Sequence, residues 1–149
     1  MATITKVEQP GANNPLQDKI NPADYTTPTS GDNSFLNVTC DSSVAVGDAV
    51  RISGGKYVKA QANNTANSKV IGFVASKSSP TVCNVITTGP SGSIFSELSE
   101  DTNYFLSATT AGALTTSPPT ESGEIVLHLG RAVSNNTMAI QIGKQTRRS

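Results

Sequence analysis

Few residues in this 149-residue chain are equipped for chemistry, and their spacing decides what each can do. The one histidine, His128, lies in Ile-Val-Leu-His-Leu-Gly, which reads as a strand. Alternation puts it on one face with Val126 and Gly130, and Leu127 and Leu129 on the other. A lone histidine so placed reads as a structural or surface residue. A Ser-His-Asp triad needs a nucleophile within reach of the ring. Ser91, in Gly89-Pro-Ser-Gly-Ser93, is the nearest thing to a nucleophile elbow, but it lacks the last glycine of GxSxG and no helix follows it. Glu97, Glu100 and Asp101 put three carboxylates in one short stretch without the ligand alternation and glycine of a calcium loop, so they read as a solvated acidic turn. Gly54-Gly55-Lys56 is no phosphate loop, because Val50 and Tyr57 occupy the places of its first glycine and its Ser/Thr. Cys40 and Cys83 have no CxxC spacing and no histidine nearby, which excludes a Cys/His zinc site; both read as small, buried or half-buried strand residues, with a disulfide as the minority reading. The catalytic, cofactor and metal sets are therefore all expected to be empty, and the chain is not read as an enzyme. A small hydrolase would require a turnover lost in His128→Ala.

The elements that carry these residues are strands. Charged residues make up only 15% of the chain, and 11 Lys+Arg balance 11 Asp+Glu. That balance supplies no general attraction to nucleic acid or anionic lipid. Apolar residues make up 36%, enough for a core. Much of the rest is Ser, Thr and Asn, with 12 Gly and 8 Pro, residues that favour turns and strands over helix interiors. No apolar run has the length of a signal peptide or of a membrane span of ~18 residues, so folding in a cytoplasm is expected.

Residues 1–34 form a distinct segment. Pro10, Pro15, Pro22 and Pro28 break it at short intervals, and its large apolar residues Ile4, Val7, Leu16, Ile20 and Tyr25 stand alone. Such frequent proline obstructs helix and ladder hydrogen bonding alike. An extended arm is expected, with those five residues as its anchors. Its reach approaches ~110 Å at ~3.3 Å per residue. Residues 35–143 read as a β domain of about eight to ten short strands, a small barrel or sandwich. A hairpin is expected around Gly54-Gly55, a central strand at Lys69–Ala75, and one long strand at Glu124–Val133. The one helical candidate is a single turn at Ser96–Glu100. Residues 144–149, with Lys144, Arg147 and Arg148, read as a solvated basic tail.

Several stretches resemble structural proteins of tailed bacteriophages. They are Val46-Gly-Asp-Ala-Val-Arg-Ile, Lys56-Tyr-Val-Lys-Ala-Gln-Ala, Val70-Ile-Gly-Phe-Val-Ala, Tyr104-Phe-Leu-Ser through Pro118-Pro119, and Leu129-Gly-Arg-Ala-Val-Ser-Asn. From first to last they span about two-thirds of the chain, and they look like the β domains of capsid decoration (cement) proteins, and also like modules of tail fibres and spikes. The resemblance implies a virion component on the capsid surface, a homotrimer, and the major capsid protein as partner, with neither nucleic acid nor membrane. Heptads and shaft repeats are missing, which favours decoration over a fibre. The alternative is a tail-fibre-associated or receptor-binding protein, with its site in loops such as Gly89–Ser93 or Ala111–Gly123.

Overall fold

The computed structural model describes residues 33–149. Ile4, Val7, Leu16, Ile20 and Tyr25 lie outside the described residues. The rest is all-β, as expected, with twelve short strands in three antiparallel sheets.

The first sheet has the order β1-β5-β4-β2-β3. Its strands are β1 (Ser34–Thr39), β2 (Ala49–Ser53), β3 (Lys56–Lys59), β4 (Gly72–Ser79) and β5 (Val82–Ile86). β2 and β3 form the expected hairpin. Ser53 pairs with Lys56, leaving the two-residue loop Gly54-Gly55 with φ of 61° and 81°. Two successive left-handed residues are what a type I′ turn requires, and glycine supplies them without a Cβ clash. The sheet curls until its edge strands meet at one end. Cys40 bridges Tyr57, and the Asp41 amide donates to the Tyr57 carbonyl at 2.8 Å. Register shifts in β1 and β4 supply the bending.

Curling gives this sheet two buried faces. Val50, Val74, Cys83 and Val85 point inward with Cys40 and Val44 to fill one small core. Ala49, Phe73 and Ile86 point the other way, into a larger core shared with the second sheet. A strand buried on both sides reads as a continuous apolar run, not as an alternation. That is the texture of Lys69–Ala75; the central strand β4 starts three residues later than expected, at Gly72, and runs on to Ser79.

The second sheet has the order β6-β11-β10-β7-β8. It contains β6 (Gly89–Pro90), β7 (Asn103–Leu106), β8 (Leu114–Thr115), β10 (His128–Ala132) and β11 (Met138–Ile140). Tyr104, Leu106, Leu129, Ala132, Met138 and Ile140 face the shared core. A two-stranded ladder of β9 (Ile125–Val126) and β12 (Thr146–Arg147) completes the fold.

Three local expectations are corrected. The long strand at Glu124–Val133 is two strands: the chain breaks at Leu127, whose carbonyl accepts from the Leu106 amide at 3.0 Å. β9 then pairs with β12, while β10 pairs with β7 and β11. Ser96–Glu100 is not helical; Glu97 has φ of 59°, and the Leu98 amide donates to Asn135. The single helical piece among the described residues is a 3-10 turn at Ala66–Ser68. The basic tail exposes its side chains yet is tied to the body by its backbone. The Gly123 amide donates to the Arg148 carbonyl at 2.8 Å, the Arg148 amide donates to the Glu124 carbonyl at 2.7 Å, and Arg148 Nε donates to the Pro119 carbonyl at 2.8 Å.

Both cysteines are free and buried, as expected. Burial, reinforced by the neighbouring Cys40 thiol, pushes the Cys83 thiol up to about 12. Native protein at pH 8 is expected to take no iodoacetamide, reacting at least ~100-fold more slowly than an exposed thiol, because only the thiolate attacks. Denatured protein is expected to take two adducts by mass spectrometry. The raised value also fixes a pH dependence. The fold favours the neutral thiol, so its contribution is complete below the unfolded value of 9 and is lost as pH rises toward 12. Urea midpoints should fall across that window, with a shallower slope in Cys83→Ala.

Candidate functional site

The chemical candidates in the sequence resolve mostly into structural parts. Ser91 is buried; its hydroxyl donates to the Gly92 carbonyl at 2.7 Å and accepts from the Met138 amide at 2.9 Å. It joins β6 to β11 and has no histidine among its partners. Gly54-Gly55-Lys56 is the hairpin turn. Lys56 Nζ reaches Asp41 at 3.1 Å, and Asp41 also accepts from the Ser43 hydroxyl and amide. Those Ser43 bonds, with Lys56, hold the Asp41 carboxyl down at about 2. Glu97, Glu100 and Asp101 do not converge: no group of three metal-capable side chains occurs among the described residues.

Glu97 instead lines a groove of ≈ 380 Å³ between the sheets, together with Asp48, Phe95 and Tyr104. Asp48 serves the chain reversal into β2, accepting from the Ala45 amide at 2.8 Å. Burial raises its pKa despite that bond and the charges of Lys59 and Lys77. A Cβ at Gly112 would sit 3.1 Å from the Asp48 carboxyl carbon, so this carboxylate is packed into the junction of the two sheets.

The polar cluster that does assemble lies on the outer face of the second sheet. Asn103 and Phe105 of β7 point outward, while Tyr104 and Leu106 point into the core. His128 stands opposite Phe105 with its ring edge-on, centroids 5.6 Å apart. Arg131 stands opposite Asn103. The Asn103 Oδ1 accepts from Arg131 Nε at 3.3 Å and lies 3.2 Å from His128 Nε2. Arg131 Nη1 donates to Asp101 Oδ1 at 2.9 Å. His128 Nδ1 lies 3.3 Å from the Gln141 carbonyl. Both ring nitrogens thus face carbonyl oxygens, and among the described residues neither faces a hydroxyl or thiol that the ring could activate as a nucleophile. The ion pair is exposed, so it orients the guanidinium more than it stabilises the fold.

Strict alternation separates His128 from Arg131, three residues on. A register shift between His128 and Gly130 reverses the phase, burying Leu129 and Gly130 in succession and turning both polar side chains to one face. Gly130 permits this, since a Cβ there would be driven into the Ala139 carbonyl oxygen. Gly130 is the one sequence sign of the shift, because glycine inside a strand often marks a bulge.

Next to this cluster the sheet carries an open recess of ≈ 600 Å³. Asn103, His128 and Arg131 wall one side, and Thr88, Gly89 and Ala139 the other. Asn33, the first described residue, is fastened beside it: its Nδ2 donates to the Thr88 carbonyl at 2.9 Å. Its own carbonyl accepts from the Thr87 amide at 2.8 Å and hydroxyl at 3.0 Å.

No helix among the described residues is long and apolar enough to cross a membrane. Comparison of the chain with protein-family models, with curated proteins and with solved structures finds no match.

Proposed function

We propose that the protein is a capsid decoration protein of a tailed bacteriophage, a non-enzymatic cement that binds the outer capsid surface. In this reading the β body is a rigid platform and the proline-rich segment before it is the attachment device. The anchors are Ile4, Val7, Leu16, Ile20 and Tyr25, laid over the major capsid protein. Proline lowers the entropy cost of ordering such a segment. A homotrimer would present several arms at once, so weak single contacts add to firm attachment.

The observation that carries this reading is the root of the arm. Three hydrogen bonds between Asn33 and the pair Thr87 and Thr88 fix where the segment leaves the body, at the start of edge strand β1. A fixed exit point is what a bridging arm needs, because it converts binding at the arm into placement of the body. Closed hydrogen bonding at Ser91 and His128 supports a surface role over turnover.

The test is cosedimentation with capsids that lack the protein. Full-length protein is expected to bind saturably, and a variant without residues 1–32 at least ~10-fold more weakly, the scale on which multivalent arms act. The truncation stops before Asn33 and β1 so that the body stays whole. Undiminished binding by the truncated form would refute the arm mechanism. Failure of both forms to bind would move the protein to the tail-associated, receptor-binding reading.

A further inference from the structure

We propose that the cleft between residues 68–71 and 142–145 is a binding site for the C-terminus of a partner polypeptide. The free carboxylate lies between Lys69 and Lys144, the last amide N–H donates to Gln145 Oε1, and an apolar last side chain rests on Leu127 and Ile142. This goes beyond the capsid reading and does not depend on it, because the partner is defined by the chemistry of its last residue.

Four observations converge on that ligand. The first is charge. The cleft, of ≈ 500 Å³, is lined by Lys69 and Lys144 and by no carboxylate. The ion pairs among the described residues engage Lys56, Lys59 and Arg131, so neither lysine of the cleft has a counter-charge there. Residues 144–149 add Arg147 and Arg148 and no acid. Such a surface draws an anion. The second is position. The Val70 amide donates to the Ser68 carbonyl at 2.9 Å, with Lys69 at φ of −81° and ψ of 69°. That is an inverse γ-turn, and it holds Lys69 at its tip. Lys144 follows Gly143, whose amide donates to the His128 carbonyl at 2.9 Å and so fastens this stretch to β10.

The third is an unused acceptor held in place. Gln145 Nε2 donates to the Thr65 carbonyl at 2.9 Å and to the Ser68 hydroxyl at 2.5 Å. Ser68 is fully buried, and its hydroxyl donates to the same Thr65 carbonyl at 3.1 Å. Both Nε2 protons are thus used, and the reversed amide would set two carbonyl oxygens against each other. Gln145 Oε1 is left without a donor among the described residues. It calls for an N–H beside the anion, which a peptide end carries and a fatty acid lacks. The fourth is the apolar floor. Leu127 is fully buried, and Val70 and Ile142 pack half-buried against the same core. The volume lies within the ~300–1,000 Å³ of ordinary binding pockets, whose lining is likewise apolar with a few converging polar groups. A terminal residue joins carboxylate, N–H and apolar side chain in the smallest unit that uses all of these.

The test is a titration of isotope-labelled full-length protein with the peptide N-acetyl-Ala-Leu-Leu bearing a free carboxylate, followed by amide NMR shifts. Shifts are expected at Lys69, Ile142, Gly143 and Gln145, with half-saturation at ~1 mM or below. The same peptide with its end amidated is expected to bind at least ~10-fold more weakly, because charge-assisted bonds are the strong ones. Octanoate, which has the carboxylate and apolar chain without the N–H, is expected to bind at least ~3-fold more weakly, as is N-acetyl-Leu-Asp-Leu-amide, whose acid is internal. The double variant Lys69→Gln/Lys144→Gln should weaken the free-acid peptide at least ~10-fold, and Arg131→Gln, on the outer face of the second sheet, should leave it unchanged. Lys69 and Lys144 are exposed, so the double variant keeps the fold, checked by its thermal midpoint. No saturable shift by the free-acid peptide up to ~10 mM would overturn the proposal. So would equal binding of the amidated peptide, or undiminished binding by the double variant. Octanoate binding as tightly would make this a site for free amphiphilic acids, and the internal-acid peptide binding as tightly would make it a site for acidic side chains; either result refutes a chain end as the ligand.

Discussion

Gly72→Ala is expected to destabilise this protein by about 3 kcal/mol, and Gly72→Val to prevent folding. The reason is space, not conformation. Gly72 opens β4, the central strand of the first sheet, paired to Val50 on one side while its neighbour Phe73 faces Ile86 on the other. A Cβ there would be driven into the Ile86 carbonyl oxygen and would sit 2.9 Å from Val85 Cγ1 and 3.0 Å from the Ile86 carbonyl carbon. Two of those three atoms are backbone in a hydrogen-bonded strand, so neither can step aside without spoiling the β4–β5 ladder. The loss is large against a native stability of about 5–15 kcal/mol for a domain of this kind. Gly54→Ala is the control. It has open space around it but a φ of 61°, so only the left-handed penalty of about 1 kcal/mol applies. Urea midpoints of the two variants separate the effects. A Gly72→Ala midpoint equal to that of Gly54→Ala would show that β4 and β5 do not pack in this register.

The glycines also show what could be read in advance. Gly54-Gly55 between two apolar runs announces a hairpin, because a two-residue turn has a local cause: the φ signs it demands. The run at Lys69–Ala75 announces a central strand, since continuous apolarity follows from burial on both faces. The features that escaped are non-local. Leu127 interrupts a run that reads as one strand because its carbonyl is claimed by Leu106, and no pattern within Glu124–Val133 records that partner. The Thr146–Arg147 strand exists because Ile125 and Val126 offer an edge some twenty residues earlier. Its side chains stay in water, so it leaves no hydrophobic signature.

The cluster on the outer sheet face was half visible. The sequence marks out His128, but as an isolated residue on a face shared with Val126 and Gly130. Asn103 and Arg131 were not, because a period of two places Arg131 across the sheet from His128. One bulge reverses that relation and creates the cluster. Ser91, by contrast, drew notice for a fragment of a catalytic pattern. Its burial beneath the Met138 amide is a packing fact with no sequence correlate.

The second large effect is expected at Phe73. Its side chain is fully buried in the core between the sheets and meets the Phe95 ring edge-on, with centroids 5.4 Å apart and planes at 82°. Phe73→Ala should lower stability by about 3–5 kcal/mol, the cost of removing a buried aromatic and leaving a cavity. Phe95→Ala should cost less, because Phe95 is only half-buried and sits in a connecting loop. The pair should nevertheless be coupled by about 0.5–1.5 kcal/mol in a double-mutant cycle, the worth of an aromatic contact beyond its area. The loop holding Phe95 is itself wedged between the sheets: the Ile94 carbonyl abuts Gly47, where a Cβ would come within 2.7 Å, and the Phe95 amide donates to Asn136. Loss of Phe73 therefore removes the surface on which that loop rests, and amide exchange should quicken at Phe95 and Leu98 before it does in β4. Uniform quickening across both sheets would mean that the sheets open as one unit, with Phe73 serving the whole core and not this junction.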